Sequence, residues 1–165
     1  QTPSADPKID RDFCLRASEM DENADVVVVF GGTNDFGHGD APFGTLHDRT
    51  PDTFCGACHV LFQTLLRRYP VAKIVVVTPL HRVNESDPRC DGSRTTPARP
   101  LADYVGALRQ IAQEYQLPVL DLYAEGVLDP NDPDTQARYV PDGLHPNDAG
   151  HVILAEKLRS FLESL

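Results

Sequence analysis

No apolar run in the 165-residue chain approaches the roughly 20 residues that cross a bilayer as a helix, so no membrane span is expected. The chain opens on Gln1, with no basic segment leading into an apolar one, so no secretory leader is visible. A cytoplasmic location is the expectation, with export left open because the first residue is not Met. Cations are scarce: Lys+Arg number 15 against 25 Asp+Glu, a formal net charge of -10 with no basic run. That balance argues against a nucleic-acid partner, whose phosphates demand clustered cations. Cysteine is too sparse for a disulfide framework, and Cys14, Cys55, Cys58 and Cys90 read as reduced thiols.

What is present is enough for a core. Hydrophobic residues make up 41% and charged ones 24%, and the length suits one domain over residues 1–165. Val26-Val27-Val28-Val29-Phe30 reads as a strand buried on both faces that leaves through Gly31-Gly32. Lys73 to Thr78 reads as a second strand and Leu117 to Leu122 as a short third. Between them lie helical patterns: Ile9, Phe13, Ala17 and Met20 over Lys8 to Asn23; Phe54, Cys58, Leu61, Leu65 and Tyr69 after a Thr50 cap and Pro51; Leu101 to Tyr115. A last helix carries Val152, Ala155, Leu158, Phe161 and Leu165 on one stripe, with Pro146 in its first turn. The stretches 36–49, 79–100 and 123–144 read as loops. Strands alternating with helices imply a parallel sheet, and the long loops gather at its C-terminal edge, where such folds place chemistry.

Two clusters at that edge carry the right side chains. Asp142 stands three residues before His145 on a turn into a helix, within reach of one imidazole nitrogen. An orienting acid, a histidine base and a nucleophile are the parts of acyl transfer. Asn34, after Gly32, could donate its amide to a developing oxyanion. Asp35 is read as bracing the turn or facing the pocket. His38, His47, His81 and Arg82 on strand-exit loops line that pocket or stand in solvent. His151 is read as braced against the fold.

Two tempting motifs carry less. Cys55-x-x-Cys58-His59 falls inside a helical pattern without a second ligand pair at zinc spacing, so packing is the reading and no metal is expected. Asp129 to Asp134 resembles a calcium loop but has Asp134 where glycine is needed and Val140 where the closing Glu belongs.

Gly32-Thr33-Asn34-Asp35 and Asp142-Gly143-Leu144-His145 resemble the G-x-N-D and D-x-x-H blocks of the SGNH hydrolases, also called the GDSL esterase/lipase family, over roughly Ala24 to the C-terminus. The resemblance implies a flavodoxin-like three-layer α/β/α sandwich and a serine ester hydrolase needing no cofactor. It makes His145 the general base, Asp142 its partner, Asn34 an oxyanion donor and Gly32 the tight turn beside the site. Its substrate would be a small-molecule ester.

The chain departs from that family in lacking a Gly-Asp-Ser block after a first strand; Asp91-Gly92-Ser93 has the letters in another order within a loop. The sheet is therefore expected to miss its first strands and expose an apolar edge. The segment alone is expected to be inactive, with the nucleophile carried by a complementing N-terminal segment; a homo-oligomer is the other assembly considered. The rival reading is a catalytically incomplete domain that binds carbohydrate or acyl ligands. A flavin protein is disfavoured because no Ser/Thr/Gly-rich phosphate loop follows a strand.

Overall fold

The computed structural model describes residues 12–39, 41–90 and 99–165. Its elements in chain order are α1 (Phe13–Ala17), β1 (Val26–Phe30), α2 (Thr33–His38), α3 (Phe54–Arg68), β2 (Lys73–Val77), α4 (Leu101–Glu114), β3 (Val119–Leu120), α5 (Pro133–Tyr139) and α6 (Asp148–Glu163). The strands form a parallel sheet in the order β1-β2-β3, with Val28 opposite Val75 and Val77 opposite Leu120.

Alternation along the strands builds three layers, because successive side chains point to opposite faces. Val27 and Val29 of β1 join Ile74 and Val76 of β2 in a core closed by α1, α3 and α4, where Phe62, Leu101 and Val105 are fully buried. Val75 and Val77 point the other way, into a second core with Leu120, Leu122, Val127, Leu128 and Val140. The α6 residues Ile153, Leu154, Leu158, Phe161 and Leu162 cover it. The α/β/α sandwich expected from sequence is the observed fold.

Several local expectations are corrected. The first strand is not buried on both faces: Val26, Val28 and Phe30 are 40%, 40% and 45% exposed, because β1 lies at the sheet edge and nothing among the described residues covers that side. The first helix is five residues long, with Asp12 capping it through the Leu15 N–H at 2.9 Å. Ile9 lies outside the described residues, as does Asp91-Gly92-Ser93. Thr53, not Thr50, caps α3, its hydroxyl accepting from the Gly56 N–H at 3.1 Å. The exit turn after β1 and the start of the loop behind it form α2, and the stretch read as a loop after β3 contains α5, capped by Asp132 with Pro133 in its first turn. Pro146 precedes α6, whose cap is Asn147. The packed stripe of α6 is also rotated from the expected one, leaving Val152, Leu165 and His151 exposed.

Candidate active site

A parallel sheet sends every strand out at one edge, so the segments after β1, β2 and β3 converge there. After β1 the backbone turns through Gly32, at φ +107°, where a Cβ would come within 3.3 Å of the Pro79 ring. Only glycine adopts that conformation cheaply beside such a neighbour. The turn opens α2, whose Phe36 and Gly37 are buried while Asn34, Asp35 and His38 face outward.

After β2, the buried Thr78 hydroxyl donates to Asp121 Oδ1 at 3.1 Å and accepts from the Tyr123 N–H at 3.1 Å. Burial opposes the charge of Asp121, but bonds from Arg109, the Ala124 N–H and Thr78 outweigh it and hold its pKa below the usual carboxylate range. His81 comes next, with both ring nitrogens engaged. Nδ1 lies 3.0 Å from Glu85 Oε2, Nε2 lies 3.0 Å from the Tyr123 carbonyl, and the ring stacks on Tyr123 at 3.8 Å between centroids. The Tyr123 hydroxyl donates to Glu85 Oε1 at 3.0 Å; burial first, then this carboxylate, pushes its pKa up to about 12. His81 therefore sits in a bracing cluster rather than presenting a bare nitrogen. His47 is exposed and Arg82 buried.

The turn before α6 brings Asp142 and His145 together. Imidazole Nδ1 lies 2.7 Å from Asp142 Oδ2, while Asp142 Oδ1 accepts the N–H groups of His145 at 2.7 Å and Leu144 at 2.9 Å. The His145 amide, then its ring, then the Leu144 amide bring the Asp142 pKa down to about 2, so the carboxylate stays charged at neutral pH. The His145 side chain is 75% exposed, and Nε2 makes no hydrogen bond among the described residues. Below it, Asn147 accepts from the Gly150 N–H and donates its amide to the Arg138 carbonyl, fixing where α6 begins.

One segment touches both blocks. The Val83 N–H donates to the Gly143 carbonyl at 3.0 Å, and Arg82 Nη1 lies 3.4 Å from the carbonyl and hydroxyl oxygens of Thr33. Sequence reading passed over Val83, since a main-chain bond leaves no mark on side-chain identity. Glu85 and Tyr123 were likewise missed, as their roles depend on tertiary neighbours.

Residues 3–153 match the GDSL-like lipase/acylhydrolase family. The chain belongs to this family. A GDSL lipase of Mycobacterium tuberculosis is 28% identical over 151 residues, covering 92% of this GDSL-family chain and 54% of that protein. The chain thus spans about half the length of that curated relative. Among solved structures, a Lactobacillus plantarum protein is 34% identical with a TM-score of 0.80, covering 92% of this chain and 72% of that one. A possible lipase from Chitinophaga pinensis is 26% identical with a TM-score of 0.63, covering 86% and 73%.

The Cys55-x-x-Cys58-His59 motif of this GDSL-family chain lies in its packed interior. Cys55 and Cys58 are buried, and burial raises both thiol pKa values. His59 is fully buried between the Tyr115 hydroxyl and the Leu46 carbonyl, and loss of solvent lowers its pKa. Among the described residues no group of three or more His, Cys, Asp and Glu is placed to hold a metal, and no helix is long and apolar enough to cross a membrane.

Proposed function

We propose that the protein is a carboxylic ester hydrolase in which His145 is the general base, Asp142 orients it, Asn34 stabilises the oxyanion, and the nucleophilic serine comes from a Gly-Asp-Ser block outside these 165 residues. The observation that carries the reading is the 2.7 Å bond between Asp142 and His145 Nδ1, with Nε2 left open. The serine hydroxyl attacks the acyl carbonyl as Nε2 takes its proton, and negative charge collects on the carbonyl oxygen facing the Asn34 amide. Collapse expels the alcohol, which takes the proton from Nε2. Water then repeats the sequence on the acyl-serine and frees the acid. Asp142 keeps its charge throughout and stabilises the imidazolium; a pKa near 2 suits that part. The acidic, hydrophilic strand-exit loops favour a small or polar ester over a lipid surface.

In the full-length protein, His145→Ala lowers hydrolysis of p-nitrophenyl acetate by roughly 10²–10⁴-fold, the usual span for a lost general base. Near-normal activity removes the assignment. One observation favours the rival reading for the 165 residues alone: among those described, no hydroxyl bonds His145. Saturable binding of an acetylated oligosaccharide by this segment, together with an inactive full-length protein, would establish a binding domain instead.

A further inference from the structure

The Arg82 side chain is buried, at 6% exposure, yet its Nε has no hydrogen-bond partner among the described residues. Its guanidinium reaches α2. Nη1 stands 3.4 Å from the Thr33 carbonyl and hydroxyl, and the guanidinium lies 5.5 Å from the centre of the Phe36 ring. A Cβ on Gly37 would come within 2.9 Å of Nη1, so the absent side chain makes room for the cation. Thr33, Phe36 and Gly37 are spaced i, i+3 and i+4, the inward stripe of the helix.

That helix cannot orient itself. It has six residues and a glycine cap with no side-chain bond, far below the length at which a helix persists alone. Its direction comes from what it rests on, namely Phe36 against Tyr104 at 6.0 Å and the guanidinium beneath. The guanidinium runs along the helix from Thr33 to Gly37, so it bears on α2 over its whole length. Asn34 stands exposed in the same first turn. The next residue, Val83, holds Gly143 in the Asp142–His145 turn through its N–H at 3.0 Å. Neighbouring residues of one segment thereby grip the two halves of the site.

We propose that Arg82 is a positioning residue that sets the Asn34 amide relative to His145 through α2, with Arg82-Val83 as the spacer between the two blocks. This rests on Asn34 being the oxyanion donor. The expected signature is kinetic, since a displaced donor weakens transition-state binding more than substrate binding.

In the full-length protein Arg82→Met lowers kcat roughly 10–100-fold on p-nitrophenyl acetate with KM within about twofold, the scale of an ångström-sized misplacement. Asn34→Ala costs roughly 10²-fold in the native background and less than about threefold in the Arg82→Met background, because the donor is already out of place. Multiplicative losses overturn the proposal, as does a loss confined to KM. Should Arg82→Met not fold, Thr33→Ala removes one contact of Arg82 and is expected to lower kcat by roughly 2–10-fold, with the same non-additivity. If the native protein hydrolyses no ester, the catalytic reading fails separately. NMR then decides: Arg82→Met must move the Asn34 side-chain amide resonances while leaving those of Asn147 in place, and unmoved Asn34 resonances overturn the positioning role.

Discussion

Gly143 offers the sharpest test of how the His145 turn is held. Its φ is +77°, a region that costs a residue with a side chain about 1–2 kcal/mol. A Cβ there would sit 2.6 Å from Val83 Cγ1 and 2.7 Å from Cγ2, well inside van der Waals contact. Overpacking of this kind costs about 1–3 kcal/mol, so Gly143→Ala is expected to destabilise the protein by about 2–5 kcal/mol. The two parts can be separated. In a Val83→Ala background both methyls are gone and only a contact at 3.2 Å to Cβ remains, so the penalty falls to the backbone share of about 1–2 kcal/mol. Urea unfolding of the four proteins in the cycle measures this directly. Equal penalties in both backgrounds would refute the steric reasoning, and a penalty below about 0.5 kcal/mol would show that the turn relaxes freely.

Two further tests address the same elements. The Asp142 pKa is depressed from 3.8 to about 2, so its contribution is present above about pH 4 and disappears as pH falls through 2. Asp142→Ala should accordingly lose more stability at pH 6 than at pH 2, by a modest margin because the pair is solvent-screened; equal losses at both pH values contradict the assignment. Thr53→Ala should cost about 1 kcal/mol in urea unfolding through loss of the α3 cap, while Thr50→Ala stays within about 0.5 kcal/mol; the reverse ranking restores the cap expected from sequence.

The elements legible in the sequence were those with a strong local signal. Val26–Phe30 and Lys73–Val77 are runs of β-branched residues, and α3 and α4 carry apolar stripes long enough to set their period. The Asp142–His145 pairing was legible because it closes over three residues. α5 was missed because none of its residues is fully buried and it shows no stripe, although Asp132-Pro133 was a capping signal. α2 was missed because Thr-Asn-Asp-Phe-Gly-His has no helical pattern; the groups it rests on, Arg82 and Tyr104, are far away in the chain. Burial of Val26, Val28 and Phe30 was inferred from their apolarity, which reports what a side chain favours rather than what lies beside it.

The position of β1 at the sheet edge has a dynamic consequence. β2 is flanked by strands on both sides and buried over most of its length, whereas β1 is paired on one side and half bare among the described residues. Local opening follows the thinnest packing. The two halves of the proposed site therefore differ in their tether: His145 stands on a turn bonded to Val83 and anchored by Asn147, while Asn34 follows an edge strand into a helix of six residues. Amide protection should fade first at the Asn34 end, so the readiness of the proposed site would follow the stability of its weaker wall.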